Sequence, residues 1–385
     1  MGAGDKMKLK RWHLYGIAFI CFILAFTALN YKYDRFYRVN GINNDNRALI
    51  ERYLDKQEQN YLIDNAIPVN QFIDYITYDQ FKLQNYTYYN SLRKVKTYSD
   101  LSVLLDETNK IVDKLTVEFG NHIDTNFNLL IKNNLAFAYL NSEYFDFDNI
   151  EYYQLLRTLY DDSDYNYIAL TNRYVSIFEE ENLTSRIIYH HFKSMIDTYD
   201  ANGVATLMTN TLKDGAKRLY KIDLMKQVVN NQTFISSYQP KKLTMIADIP
   251  RLSYTMYLQD EAYNQLKSMY KAMNTELDHG FIVSKAYTSY GVLSLEGDQA
   301  GYSEMQLGTS VILKKKGISD QDFNQTDVYQ WLINHSYEYG YILRYPQDKE
   351  AVTGHGYDAT CFRYVGIDIA TSLHQNQLAL EEYQE

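Results

Sequence analysis

A chain of 385 residues, 46% hydrophobic and 22% charged, is long enough for two domains with buried cores. Its 39 tyrosines beside only 4 prolines favour packed, regular structure over a disordered tail. The formal charge of -10 and a pI near 5.4 argue against a nucleic-acid partner, because a phosphate backbone needs a basic footprint and none is visible.

Lys6, Lys8, Lys10 and Arg11 precede an uncharged run from Leu14 to Leu29. A membrane-crossing helix needs about 17–25 mainly apolar residues, so residues 14–30 are expected to form a transmembrane anchor. The basic segment, residues 1–13, is then expected in the cytoplasm and the rest outside it. A cleaved signal peptide is the competing reading, although Ala25-Phe-Thr27 is a poor cleavage site. Cys21 and Cys361 would lie on different sides of the membrane boundary, so no internal disulfide is expected.

Residues 31–220 read as a mostly helical extracytoplasmic region with Asn, Asp and Tyr connections. Ser99 is the expected cap of a helix whose Leu101, Leu104, Leu105, Ile111, Val112 and Leu115 recur with a period near 3.6. A second helix is expected after Asn182, with Leu183, Ile187, Ile188, Met195, Ile196 and Tyr199 along one side. His190 and His191 are adjacent there and point about 100° apart, which suits packing and solvation better than chelation. Pro68 interrupts the helix-like pieces around it, and no repeat of fixed period is evident.

Residues 221–385 have a different texture, with Pro240 and Pro250 punctuating short extended stretches. Leu258, Ala262, Leu266, Met269 and Met273 predict a helix lying on a sheet. Strands are expected at Phe281–Ser284, Ser310–Leu313 and Tyr341–Arg344, and a helix at Val328–Tyr339 after Asp327. The class is α+β with a mainly antiparallel sheet.

Several motifs then fall in one order: Tyr238-x-Pro240, Tyr287-x-Ser289-Tyr290, Gly301-Tyr-Ser-Glu304, Trp331, Arg344-Tyr-Pro346, Thr353-Gly354 and Phe362-Arg-Tyr-Val-Gly366. In this order they resemble the VanY-type D-alanyl-D-alanine carboxypeptidases of the LAS zinc peptidases. The resemblance implies a peptidase fold in which Ser-x-His-x-x-Gly-x-Ala-x-Asp gives a histidine and an aspartate to zinc. Glu-Pro-Trp-His gives the general base and the third ligand. Such a zinc lowers the pKa of its bound water from 15.7 to about 7, producing the attacking hydroxide.

Here the first motif reads from Ser303 to Ile312 and the second Asp358-Ala-Thr-Cys361, so the ligand positions carry Met305, Ile312 and Cys361. Asp358 keeps the carboxylate of the base position, shortened by one methylene. The family's arginine clamp for the substrate carboxylate is also missing, since that element reads Ala286-Tyr287-Thr288-Ser289. The resemblance therefore implies a degenerate domain with its zinc lost and no cofactor expected. It would bind peptidoglycan stem peptide or a cell-wall protein through Tyr287, Thr288, Ser289, Ser303, Gln306 and His355, with Tyr290 and Tyr302 beside them. An active D,D-carboxypeptidase with a site rebuilt around Cys361, Asp358 and His355 is one alternative. A helical assembly scaffold is another.

Overall fold

The computed structural model describes residues 11–33, 35–297 and 299–384. Lys6, Lys8 and Lys10, the core of the basic segment, lie outside them. The chain forms two compact units, Met1–Phe145 and Asp146–Glu385.

The first unit begins with helix α1 (Arg11–Tyr33), whose Arg11–Leu29 stretch is long and apolar enough to cross a membrane by length and composition. Helices α2 (Asn44–Tyr53) and α3 (Lys56–Asp64) start at Asn43 and Asp55, each closing a capping box with the third helical residue. They bury Ile50 and Leu62 against Phe36, Phe72 and Leu83. Then come α4 (Tyr86–Val95), α5 (Leu101–Phe119), α6 (Asp124–Lys132) and α7 (Ala136–Asn141). In α5 the expected stripe is the buried face, with Leu104, Leu105, Ile111 and Leu115 fully covered. Its cap is Asp100 and not Ser99, since the Asp100 carboxylate accepts the amide of Ser102.

The second unit opens with the same succession of elements: α8 (Ile150–Arg157), α9 (Asn166–Glu180), α10 (Ser185–Thr198) and α11 (Ala201–Thr209). A short 3-10 turn precedes α4 and another precedes α8. The correspondence extends to single contacts. Asn109 Oδ1 accepts from Asn85 Nδ2 at 2.9 Å and from the Tyr89 hydroxyl at 2.7 Å. Asn172 Oδ1 accepts from Asn149 Nδ2 at 3.0 Å and from the Tyr153 hydroxyl at 2.5 Å. Each tyrosine hydroxyl in turn accepts a backbone amide seven residues upstream, that of Lys82 or Asp146. The tyrosine one residue earlier, Tyr88 or Tyr152, reaches the first residue of the third helix, the carboxylate of Asp124 or the carbonyl of Ser185. The sequences agree at these points, Phe81-x3-Asn85-x2-Tyr88-Tyr89-x2-Leu92-Arg93 against Phe145-x3-Asn149-x2-Tyr152-Tyr153-x2-Leu156-Arg157. The expectation of no fixed repeat is thus corrected: one helical module occurs twice, about 64 residues apart. It escapes a search for periodicity because the shared residues are those that the buried hydrogen bonds need, while the surface between them differs.

After α11 come two small strand pairs. Strands β1 (Lys217–Arg218) and β2 (Thr233–Phe234) are parallel, and β3 (Leu243–Met245) and β4 (Tyr257–Gln259) are antiparallel. Helix α12 (Asp260–Leu277) begins after Leu258, which belongs to β4 and not to the helix as its spacing suggests. Asp260 and Glu261 in its first turn suit the positive end of the helix dipole. The remaining elements are β5 (Ile282–Lys285), α13 (Tyr290–Glu296), β6 (Ser310–Lys314), α14 (Asp327–His335), β7 (Tyr341–Tyr345), α15 (Glu350–Thr353), β8 (Asp358–Tyr364) and α16 (Ile367–Asn376). The principal sheet is antiparallel in the order β5-β6-β8-β7, so the C-terminal part is α+β.

Alternation along the strands gives this sheet two different faces. Val311, Leu313, Phe362, Tyr364 and Tyr341 face the core built by α12 and α14, where Leu266, Met269, Met273 and Leu332 are fully buried. Each such side chain contributes about 1.5–3 kcal/mol by leaving water. The Tyr341 hydroxyl donates to the carbonyl of Ala262 and that of Tyr364 to Glu261, pinning sheet to helix. Gly340 sets β7 against β8: its φ is +77°, its carbonyl accepts from Val365, and a Cβ there would meet the Gly366 backbone at 2.9 Å. The opposite face carries Ile312, Cys361, Arg363 and Arg344.

Candidate functional site

Ile312 on β6 and Cys361 on β8 are direct cross-strand partners. Their side chains leave the sheet on one face, close together as opposed residues of an antiparallel pair must be. Met305 lies on the 3-10 turn Glu304–Leu307 that feeds β6, where its carbonyl accepts the amides of Thr288 and Gly308. Cys361 is buried. Burial, then the negative charges of Glu304 and Asp358, push its thiol well above the ordinary range, so the sulfur stays protonated. Asp358 opens β8 with its Oδ1 accepting both the amide and the hydroxyl of Thr360, at 2.8 and 2.6 Å. His355 is exposed, with Nδ1 2.7 Å from the carbonyl of Gly356 and its ring stacked on Tyr345 at 4.0 Å.

Beside these positions lies a buried charge network. Glu304, immediately before Met305, receives Arg344 Nε at 2.9 Å and stands 2.9 Å from Arg363 Nη1. The second contact is an ion pair without the alignment of a hydrogen bond. Arg344 also grips Glu381 with both terminal nitrogens, at 3.0 and 2.6 Å. Arg363 donates to the carbonyls of Leu224 and Gln227. Both guanidinium groups are almost fully buried. Burial alone would raise the carboxyl of Glu304, but the charges of Arg363 and Arg344 outweigh it and hold the carboxyl below its ordinary value. Two arginines and two glutamates leave the network neutral.

Residues 294–367 match the family profile described as VanY, D-alanyl-D-alanine carboxypeptidase. A D-alanyl-D-alanine carboxypeptidase of Enterococcus faecalis is 43% identical over 83 residues, 22% of this chain and 30% of that protein. The putative carboxypeptidase YodJ of Bacillus subtilis is 28% identical over 197 residues, 44% of this chain and 70% of its own. The chain thus spans under a third of the first relative and about two thirds of the second. Among solved structures, the LdcB LD-carboxypeptidase is 28% identical, with a TM-score of 0.40 over 45% of this chain and 92% of its own. The chain carries a VanY-type domain.

Within the VanY-type domain, the three positions assigned to zinc ligands offer a thioether, an aliphatic carbon and a single buried thiol. That set does not match a three-ligand zinc site, which draws on imidazole, carboxylate or thiolate. Among the described residues no group of three or more His, Cys, Asp or Glu is placed to hold a metal ion. Of the groove residues expected from sequence, Ser303 and His355 line one pocket of about 580 Å³ together with Tyr302. Tyr287 is half-buried, and burial raises its phenol above the ordinary range. Thr288 is buried with its hydroxyl on the carbonyl of Ala286, and Ser289 caps α13. Gln306 is fully buried, accepting the amide of Gly301 and donating to the carbonyl of Ser236. It fastens the turn that carries Met305 and offers nothing to a groove. Glu304, Arg344 and Arg363 of this network fall within the motifs and Glu381 does not, and no local spacing links positions so far apart.

Proposed function

We propose that the chain is a membrane-anchored, extracytoplasmic VanY-like protein that has lost zinc catalysis and binds peptidoglycan stem peptide or a cell-wall protein. The helical region would space or orient the C-terminal domain, and the N-terminal helix would hold the chain in the cell membrane with a single pass. One observation carries the loss of catalysis: Ile312 faces Cys361 across β6 and β8, so two of three ligand positions meet without an oxygen or imidazole donor between them. A carboxylate at Asp358 with no activated water cannot hydrolyse the terminal amide at a useful rate. The rival reading, a site rebuilt around Cys361, Asp358 and His355, finds less support. Asp358 turns onto Thr360 and His355 onto Tyr345. The scaffold reading gains from the duplicated helical module, since repeated modules commonly serve as assembly surfaces.

Metal analysis of the full chain in detergent, with assay of D-alanine release from a pentapeptide ending in D-alanyl-D-alanine, tests the proposal. Zinc far below one per chain and no release above the blank are expected, with retention on purified peptidoglycan. One zinc per chain with turnover would overturn it.

A further inference from the structure

The pocket beside the degenerate centre is polar, and at its edge the Lys213 ammonium is held 3.0 Å from Asn231 Oδ1 and over the Tyr302 ring. Among the described residues that line it, Arg344 supplies the one guanidinium or ammonium group, and Glu304 and Glu381 occupy all its nitrogens. An incoming carboxylate would have to displace a bidentate pair that is almost fully buried, leaving a buried carboxylate without its partner. The pocket instead presents neutral groups that both donate and accept. Gln232 and Gln299 are exposed at its rim, Ser303 offers a hydroxyl, and the stacked His355 and Tyr345 rings form a flat wall. Carboxamides match vicinal hydroxyls and acetamido groups, and an exposed ring face matches the C–H face of a pyranose.

We infer that this pocket is a saccharide subsite for a neutral N-acetylated amino-sugar chain, and that it does not take a peptide carboxyl terminus. The inference rests on the binding role proposed above and narrows its ligand to the uncharged, glycan side of the cell wall. It also agrees with the missing arginine in Ala286-Tyr287-Thr288-Ser289, which leaves no guanidinium in that element to pair with a carboxylate.

Calorimetric titration of the full chain in detergent with an N-acetylglucosamine tetrasaccharide, and separately with a pentapeptide ending in D-alanyl-D-alanine, tests this. Saccharide binding is expected, weakened at least tenfold in Gln232→Ala/Gln299→Ala and in His355→Ala, with unchanged thermal unfolding because all three side chains are exposed. Pentapeptide binding that needs the free carboxylate, without saccharide binding, would overturn the subsite and leave the binding role standing. Binding of neither probe, nor of intact peptidoglycan, would overturn both. Saccharide binding unaffected by the substitutions would also overturn the subsite, since the sugar would then sit elsewhere.

Discussion

Replacing Glu304 by glutamine keeps the shape of the side chain and removes the one anion shared by two buried arginines. Arg344 retains Glu381, but Arg363 is left with the carbonyls of Leu224 and Gln227 at 2.8 and 3.1 Å as its hydrogen-bond acceptors and, among the described residues, without a paired carboxylate. Uncovering a buried charge in this way costs about 3–5 kcal/mol. At about 2–4 °C per kcal/mol for a unit of this size, unfolding should fall by roughly 6–20 °C. Trp331, buried at the core with its indole nitrogen 2.7 Å from Glu276, reports on the second unit by fluorescence in a Trp12→Phe background. Acid adds a second signature. The folded carboxyl of Glu304 lies below its ordinary value of 4.5, so its contribution is complete above that pH and is lost as pH falls through the lower folded value. Glutamine has no such proton to take up, and the gap between the two proteins should therefore close on acidification below about pH 4.5. A loss under about 1 kcal/mol at neutral pH, or a gap that does not change with pH, would refute the reasoning.

The duplicated module predicts matched effects: Asn109→Ala and Asn172→Ala should each cost about 1–3 kcal/mol in thermal or denaturant unfolding, because each removes the one oxygen that accepts from both an asparagine amide and a tyrosine hydroxyl. A cost at one site and none at the other would show that the shared contacts are not equivalent. In a Cys21→Ser background, Cys361 should resist aromatic-disulfide labelling at pH 8 in the native state and react fully in guanidinium, since burial removes both access and thiolate. Rapid native labelling would contradict the closed packing between β6 and β8.

Legibility varied with the distance over which residues act. The stripe Leu104, Leu105, Ile111 and Leu115 is a neighbour-to-neighbour signal and is the buried face of α5. The strands expected near Phe281, Ser310 and Tyr341 differ from those observed by a residue or so at their ends. The cap moved from Ser99 to Asp100, a choice between adjacent polar residues that only backbone geometry makes. Strand β8 carries no strand signal in the sequence, because it is buried on both sides and lacks the alternation that marks a half-exposed strand. Gln306, placed in the groove by its position in a motif, is instead a buried fastener, because backbone groups of Gly301 and Ser236 converge on it.

Composition and order along the chain were enough to determine the apolar N-terminal run, the helical middle, the α+β end and the presence of Met305, Ile312 and Cys361 at the three positions that the family resemblance assigns to zinc. Those are properties of residue type and short-range spacing, which survive without a fold. Only the tertiary structure decided that Ile312 and Cys361 face one another, that Glu304, Arg344, Arg363 and Glu381 neutralise each other, and that one helical module is built twice. Each of these depends on groups far apart in sequence being desolvated together, and the strength of charge and hydrogen bond is set by that shared burial.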